Sequence, residues 1–202
     1  MGYMIHKIVV ASTNEGKVKE VKGVLDTLKD LEFAVESLRD YAITEPDEPY
    51  NSFLENAVHK AKYYAKHIQQ PTLSDDSGLC IQPLADFPGV KTKDLVEECG
   101  TLKKAFARLA GLLKDHKKPT AYFNCAMVLY IPKTDVLIPY EAKMHGTITF
   151  PPKGTQGFGF DPIFIPEGFD QTLAELGDSV KNQISHRSKA LKGLVEKLRQ
   201  GL

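Results

Sequence analysis

The fold class is set by the segment Lys7-Ile8-Val9-Val10-Ala11-Ser12-Thr13-Asn14-Glu15-Gly16-Lys17. Residues 7–12 predict a short buried strand, and residues 13–17 predict a polar turn. A helix is expected next, because apolar residues recur at spacings of three and four, at Val18, Val21, Leu25 and Leu28. Strand, turn and helix in succession begin an α/β unit. Such a turn presents helix N–H groups to an anion.

Beyond this segment, alternating apolar and polar residues predict a second strand from Phe33 to Leu38. An irregular acidic stretch follows at 40–51. The Ser-x-x-Glu box formed by Ser52 and Glu55 predicts the start of a helix that runs to about His67. Residues 72–74 predict a short strand that ends in an acidic turn, Ser74-Asp75-Asp76-Ser77-Gly78, and extended structure resumes at 79–81.

The second half of the chain predicts a loop at 82–93 and a helix at 93–114, which Gly100 can interrupt. Two β-branched and aromatic runs, 121–131 and 136–150, flank a turn at 132–135 and predict a β-hairpin. A Gly/Pro-rich loop at 151–162 and a last helix at 185–199 complete the interpretation. The chain therefore reads as an α/β protein.

The composition fits one globular domain covering residues 1–202, with 42% hydrophobic and 26% charged residues. The 26 basic and 26 acidic residues balance, whereas duplex-binding proteins carry a basic excess or stripe. This balance disfavours nucleic-acid binding but is compatible with a small anionic substrate.

Three cysteines without a CxxC pair predict buried, reduced thiols. Without a signal-peptide or membrane-spanning pattern, we expect a cytoplasmic protein.

Ser12-Thr13-Asn14-x-x-Lys17 brings hydroxyls, an amide and a cation to one strand end, as a polyphosphate requires. It is not a Walker loop, since GxxxxGK[ST] is absent. The alternative interpretation is a helix N-cap followed by a solvated lysine.

The acidic segment 74–78 predicts a metal site, because adjacent carboxylates repel each other and a bound cation relieves that repulsion. Mg²⁺ prefers one or two carboxylates completed by water and phosphate oxygens. Asp76 is the candidate for the metal, for a base towards water, or for both. A further acid would come from Glu48 or Glu55. The alternative interpretation is an Asx-turn.

Two later segments are candidates for binding a base. The loop Gly154-Thr155-Gln156-Gly157-Phe158-Gly159-Phe160-Asp161-Pro162 offers glycines for close approach, two rings for stacking, and Asp161 as an acceptor for ring N–H groups. Lys181 with Ser185-His186-Arg187 suits phosphate or a purine carbonyl. The alternatives are a glycine hairpin with core phenylalanines and a solvated helix start.

Taken in order, these segments resemble the inosine triphosphate pyrophosphatase family, the non-canonical purine NTP pyrophosphatases. The matching pieces span residues 7–191 and are Ala11–Lys17, Phe53–Ala57 with Lys60-Ala61, Ser74–Leu79, Pro88-Gly89, Gly157–Phe164 and Ile184–Arg187. Phe160 stands where the family usually has Tyr or Trp. Pro49 directly follows Glu48, and the segment around it aligns loosely.

The resemblance implies a central twisted mixed β-sheet with flanking helices and two lobes around a cleft. It also implies Mg²⁺-dependent hydrolysis of ITP, dITP and XTP to the monophosphate and pyrophosphate by a homodimer. Asp76 would be the proton acceptor, and Glu48 and Asp76 the metal ligands. The substrate would be bound by Ser12, Thr13, Asn14, Glu15, Gly16, Lys17, Lys60, Ser77, Phe158, Gly159, Phe160, Asp161, Lys181, His186 and Arg187.

Three other functions remain open at this stage. A septum-inhibitor-type pyrophosphatase would act on modified pyrimidines, and the Ser185-His186-Arg187 ending argues against it. A nucleotide sensor without turnover would gain nothing from the repulsion between Asp75 and Asp76. A nucleic-acid-binding module is disfavoured by the neutral charge.

Overall fold

The computed structural model describes residues 6–27 and 34–200. Its strands are Lys7–Val10 (β1), Ala34–Ser37 (β2), Thr72–Ile81 (β3), Phe87–Pro88 (β4), Thr120–Ile131 (β5), Val136–Ile148 (β6) and Phe164–Pro166 (β7). Its helices are Glu15–Leu25 (α1), Phe53–Ile68 (α2), Thr92–Cys99 (α3), Leu102–Leu112 (α4), Leu173–Ile184 (α5) and His186–Arg199 (α6). Short 3₁₀ turns connect several of these elements.

The strands form one mixed sheet in the order β2-β1-β3-β5-β6-β7, and β4 pairs with β3. β1 runs parallel to both β2 and β3, with Val9 opposite Thr72 and Val10 opposite Leu73. The pairs β3–β4 and β6–β7 are antiparallel. A mixed sheet with flanking helices confirms the predicted fold class.

The chain divides into two compact units, which we call unit 1 and unit 2. Unit 1 comprises residues 1–76, 125–142 and 187–202, and unit 2 comprises residues 77–124 and 143–186. Three boundaries fall inside β3, β5 and β6, so each of these strands contributes residues to both units, and the fourth falls after the first residue of α6.

The core of unit 1 lies on both faces of its strands. On one face, Val21 and Val24 of α1 and Leu191 and Leu194 of α6 pack in one cluster with Leu73 and other strand residues. On the other face, Ala57 and Ala61 of α2 pack against Ala126 and Val128 of β5. Small residues on α2 allow a close approach between helix and sheet.

The core of unit 2 is a single cluster of buried apolar side chains. It joins α3 and α4 to the unit 2 parts of the strands through Leu79, Ile81, Leu95, Leu109, Phe123, Met144, Ile148, Phe160, Ile163 and Phe164. The same cluster includes Leu173 at the start of α5, which orders the helix that follows the Gly-rich loop.

The acidic turn predicted at 74–78 is wrong, and so is the alternative Asx-turn. These residues lie in the middle of β3, which stays extended and largely buried from Thr72 to Ile81. The sequence suggested a turn because two carboxylates within a buried strand are unfavourable without partners. The cations that make burial acceptable come from distant parts of unit 1.

Most other elements are confirmed within a few residues. Gly100, with φ +77°, ends α3 and separates it from α4, so the interruption predicted there exists. The hairpin of β5 and β6 is present, and Asp135 in its turn has φ +54°. Cys80 and Cys125 are buried, Cys99 is half-buried, and all three are unbridged.

Three elements were not predicted: β4, which lies within the loop predicted at 82–93, β7 and α5. Thr172 and Glu175 form a full capping box at the start of α5, so the sequence did carry a signal for that helix.

Leu28 and Phe33, used in the predictions of the first helix and second strand, lie outside the described residues. No helix among residues 6–27 and 34–200 is long and apolar enough to cross a membrane.

Candidate functional site

The turn between β1 and α1 is built by local hydrogen bonds. The Asn14 side chain caps α1 by accepting from the Lys17 N–H at 3.2 Å, and Ser12 Oγ accepts from the Asn14 N–H at 3.2 Å. Thr13, Asn14 and Glu15 are exposed. The predicted N-cap is present, together with the exposed turn that an anion would require.

Lys17 is not simply a solvated lysine. Its ammonium lies 3.0 Å from Asp75 Oδ2, and its side chain is only 18% exposed. Arg187 donates from Nε and Nη2 to the same carboxylate oxygen at 3.3 Å, and from Nη1 to Glu20. Asp75 therefore joins the N-terminal turn of α1 to the start of α6 through two cations.

These cations determine the ionisation of Asp75. Burial alone would raise the pKa of the carboxyl, but the positive charges of Lys17 and Arg187, with Lys60 behind them, hold the pKa well below its usual range. For Arg187, burial would lower the pKa, but the carboxylates of Glu20 and Asp75 raise it. Both groups are therefore charged at neutral pH.

Asp76 has a different environment from Asp75. Asn56 Nδ2 donates to Asp76 Oδ2 at 3.1 Å, and Lys60 Nζ lies 3.5 Å from Asp76 Oδ1. Burial raises the pKa of Asp76 above its ordinary value, although the charges of Lys60 and Lys17 oppose this and Glu48 adds to it. A raised pKa is typical of a carboxylate used as a base.

Strand geometry explains why adjacent carboxylates differ in this way. Successive side chains of a strand point to opposite faces. Leu73 and Asp75 share the face on which α1 and α6 pack, whereas Ser74 donates to the Ala57 carbonyl of α2 at 2.6 Å and Asp76 shares that face. β3 thus separates the two charges that a turn would have brought together.

Glu48 and Asp76 converge on one cation in the described structure. Lys60 Nζ donates to Glu48 Oε1 and pairs with Asp76. Burial would lower the pKa of Lys60, but the carboxylates of Asp76, Asp75 and Glu48 outweigh burial and raise it, so the ammonium stays charged. We call Glu20, Glu48, Asp75, Asp76 and their cations Lys17, Lys60 and Arg187 the acid cluster.

The acid cluster distinguishes Glu48 from its acidic neighbours. Glu48 is half-buried and reaches Lys60, whereas Glu45, Asp47 and Glu55 are exposed. Among the described residues, no group of three or more His, Cys, Asp or Glu side chains is placed to hold a metal. Mg²⁺ nevertheless commonly binds to proteins through only one or two carboxylates.

In unit 2, the Gly-rich loop at 151–162 is organised by Asp161. This buried carboxylate accepts from the Phe158 N–H at 2.9 Å and from Lys181 Nζ at 2.5 Å. Lys181 Nζ also lies 4.1 Å from the centre of the half-buried Phe158 ring. Phe158, Asp161 and Lys181 therefore form one group that presents a ring, an acceptor and a donor.

Gly157 is required by this arrangement. Its φ is +74°, and a Cβ there would lie 2.2 Å from Asp161 Oδ2. Only glycine accommodates both the backbone conformation and the close carboxylate.

Two predicted base-binding residues have packed side chains instead. The Phe160 ring is 4% exposed and meets Phe106 edge to face at 5.7 Å in the core of unit 2. The imidazole of His186 is buried and stacks on Phe123 at 4.8 Å. A core phenylalanine, which was the alternative interpretation, describes the placement of Phe160.

The predicted residues thus fall into two groups. Unit 1 contains the 12–17 turn, Glu48, Lys60, Asp76 and Arg187, whereas unit 2 contains Ser77, the Gly-rich loop, Lys181 and His186. The guanidinium of Arg187 contacts Asp75 and Glu20, which are acids of unit 1. The roles assigned to these residues stay predictions.

Sequence reasoning missed Glu20 and the role of Asn56. Glu20 follows Lys17 by three residues and adjoins Val21 on the inner side of α1, where a charged residue signals a buried partner. Asn56 was quoted only as part of a motif. Its position among Ala57 and Ala61 on a buried helix face was the available signal.

Comparison with known proteins gives consistent matches along nearly the whole chain. The sequence profile of the Ham1 family matches residues 8–197. The chain is 37% identical over 202 residues to the dITP/XTP pyrophosphatase of Aquifex aeolicus, covering 96% of each protein. It is also 37% identical to the dITP/XTP pyrophosphatase of Bacillus subtilis, covering 95% of this chain and 96% of that protein.

Solved structures agree with the sequence matches. A HAM1 protein from Coxiella burnetii has a TM-score of 0.86 and 32% identity, covering 98% of this chain and 100% of that one. The Ham1 protein of Staphylococcus aureus has a TM-score of 0.83 and 28% identity, covering 96% and 98%.

Proposed function

This chain belongs to the Ham1 family, and on that premise we propose that it is a pyrophosphatase of non-canonical purine nucleoside triphosphates. The substrates are ITP, dITP and XTP, and the products are the monophosphate and pyrophosphate. The naming of relatives 35–40% identical as dITP/XTP pyrophosphatases supports this proposal. A homodimer, the absence of a nucleic-acid partner and a cytoplasmic location stay predictions.

The observation that carries the proposal is the separation of Asp75 from Asp76 on β3. Asp75 is held ionised by Lys17 and Arg187, whereas Asp76 has a raised pKa and contacts Asn56 and Lys60. Asp75 thus orients a phosphate-binding lysine, and Asp76, held by Asn56 and Lys60, is the carboxylate that we assign to the reaction. Structural support of the strand alone would not require two adjacent carboxyls whose pKa values are shifted in opposite directions.

We assign Mg²⁺ to Glu48 and Asp76. The fit rests on their shared contact with the Lys60 ammonium, which shows that both carboxylates already converge on one positive charge. Bound Mg²⁺ supplies Lewis-acid charge that neutralises phosphate oxygens. Glu48 and Asp76 would supply the carboxylates that hold the ion, and water and phosphate oxygens would complete its ligands.

The residues of unit 1 then account for the hydrolysis. Asp76 accepts a proton from the attacking water, whose oxygen bonds to phosphorus as the bridging P–O bond between the monophosphate and pyrophosphate parts breaks. Lys17 and the N–H groups of the 12–17 turn stabilise the charge that develops on the phosphates.

We assign recognition of the base to Phe158, Asp161 and Lys181. The Phe158 ring gives a stacking surface, Asp161 accepts from a ring N–H, and Lys181 donates to the oxygen at purine position 6. Adenine carries an amino group at that position and would leave the donor unpaired. Such a mismatch discriminates strongly.

The test is a substrate panel of ITP, dITP, XTP, ATP, dUTP and a modified UTP, with Mg²⁺, Mn²⁺ or chelator, assayed for pyrophosphate. We expect pyrophosphate from the three non-canonical purine triphosphates with Mg²⁺ and none with chelator. Tight ITP binding without pyrophosphate would show a sensor. Preference for a modified pyrimidine would replace the purine assignment.

A further inference from the structure

Asn56 makes three hydrogen bonds from a buried amide on α2. Its Nδ2 donates to Asp76 Oδ2 and to the Tyr50 carbonyl, each at 3.1 Å, and its Oδ1 accepts from the Tyr50 N–H at 3.0 Å. The residue is only 1% exposed. One side chain therefore binds both the carboxylate of Asp76 on β3 and the backbone of Tyr50. Tyr50 belongs to the segment 41–51, which we call the acidic loop.

The chemistry of the partners requires an amide at this position. Two partners are acceptors and one is a donor, which matches the two N–H groups and the carbonyl of asparagine. A flipped amide would place its oxygen against the Asp76 carboxylate and the Tyr50 carbonyl. An aspartate could not donate to either, and an alanine would leave all three groups without this partner.

Tyr50 is the point at which the acidic loop is attached to α2. The segment 41–51 has no helix or strand, and its Glu48 lies two residues before Tyr50. The Tyr50 ring meets His59 of α2 edge to face at 5.7 Å, and Glu48 contacts Lys60 of the same helix. Asn56 supplies two hydrogen bonds between α2 and the backbone of this loop, both at Tyr50.

We propose that Asn56 is a positioning residue that fixes the carboxylates of Glu48 and Asp76 relative to each other. It contacts Asp76 directly and reaches Glu48 through Tyr50. The inference rests on the proposed function in one respect, because these two carboxylates are the ones assigned to Mg²⁺. Groups that orient metal ligands commonly change metal affinity or activity 10- to 100-fold when removed.

The test compares Asn56→Ala with Ser52→Ala, using Mn²⁺ as the probe and electron paramagnetic resonance as the readout. Ser52 caps the same helix by accepting from the Glu55 N–H, but the described structure shows no contact between its side chain and Asp76 or Tyr50. We expect Mn²⁺ binding to weaken about tenfold or more in Asn56→Ala. Ser52→Ala removes the N-cap and should lower the free energy of unfolding. Its Mn²⁺ affinity should nevertheless stay within about twofold of wild type, since the Ser52 side chain bonds to the helix backbone.

Hydrogen exchange at the Tyr50 amide gives a readout that needs neither metal nor turnover. It should accelerate in Asn56→Ala and not in Ser52→Ala, because the Asn56 side-chain carbonyl accepts from that N–H, whereas the Ser52 hydroxyl accepts from the Glu55 N–H. If Asn56→Ala fails to fold, Asn56→Ser is used, since one hydroxyl cannot replace three hydrogen bonds. Equal effects of the Asn56 and Ser52 variants, or wild-type Mn²⁺ affinity in a folded Asn56 variant, would overturn the proposal.

These results separate the inference from the proposed function. A wild-type protein that releases no pyrophosphate from ITP refutes the function, while the Mn²⁺ and exchange comparisons still decide the role of Asn56. A wild-type protein that turns over ITP, beside an Asn56→Ala variant with unchanged Mn²⁺ affinity and exchange, refutes the inference alone.

Discussion

The acid cluster of unit 1 and the Gly-rich loop of unit 2 use charge in different proportions. The acid cluster places four carboxylates among three cations, so its named groups carry an excess of negative charge. The group in unit 2 pairs one carboxylate, Asp161, with one ammonium, Lys181, beside the ring of Phe158. The first composition suits a divalent cation with phosphates, and the second suits an uncharged planar ring.

The two regions also differ in how they are built. The acid cluster assembles from α1, the acidic loop, α2, β3 and α6, and its Arg187–Asp75 bonds join residues 112 positions apart. The Phe158–Asp161 bond spans three positions and depends on Gly157. A site built from many elements tolerates little loss of any member, whereas a locally built loop depends mainly on its own residues.

The largest effect is expected from Asp76→Asn, which removes the base and one proposed metal ligand from unit 1. Pyrophosphate release from ITP should fall by about 10²–10⁴-fold, the usual contribution of a positioned acid or base. Steady-state assays at saturating Mg²⁺ measure it, and circular dichroism checks the fold. Undiminished turnover in a folded variant would remove Asp76 from the chemistry.

Glu48→Gln and Glu55→Gln form a matched pair that sharpens this result. Glu48 reaches Lys60 and is half-buried, whereas Glu55 is exposed. We expect only Glu48→Gln to raise the Mg²⁺ concentration needed for half-maximal activity. The reverse pattern would move the second metal ligand to Glu55.

A smaller loss, in stability, is expected from Arg187→Ala. Glu20 and Asp75 would lose their shared cation while remaining buried, which typically costs about 3–5 kcal/mol. Urea unfolding followed by circular dichroism measures the change in the free energy of unfolding.

Arg108→Ala is the control for this prediction, because Arg108 pairs with Glu98 in solvent and should scarcely change stability. The ratio of ITP to ATP turnover is measured on the same Arg187→Ala protein. The sequence predicts that Arg187 helps to bind the base, so this ratio should fall when the guanidinium is removed. Wild-type stability would contradict the buried network, and an unchanged ratio would exclude Arg187 from base selection.

The smallest effect is expected from Phe158→Ala in unit 2. Stacking of a base on an aromatic side chain contributes about 1–3 kcal/mol, so KM for ITP should rise roughly fivefold to 150-fold while kcat changes less. Phe169→Ala is the control, since Phe169 is an exposed phenylalanine of the same unit. A fall in kcat with unchanged KM would contradict the assignment of base binding to unit 2 and of hydrolysis to unit 1.

Local patterns were enough to predict much of this protein. The β1–turn–α1 segment, the N-cap at Asn14, the break at Gly100 and the β5–β6 hairpin follow from periodicity, capping and turn chemistry within a few residues. Most residues of the acid cluster and the Gly-rich loop also stood out in the sequence as chemically distinctive, although Glu20 did not, and their roles stay predictions. These features depend on neighbours close in sequence, and a single sequence contains those neighbours.

Only the tertiary structure decided how Asp75 and Asp76 are used. Their sequence suggested a solvent-exposed turn, because the charges that stabilise them come from Lys17, Lys60 and Arg187 on three helices. The alternation of β3 then sends the carboxylates to opposite faces, so one is held ionised and the other acquires a raised pKa. The free energy of a buried charge depends on partners brought together by folding, and local sequence does not contain them.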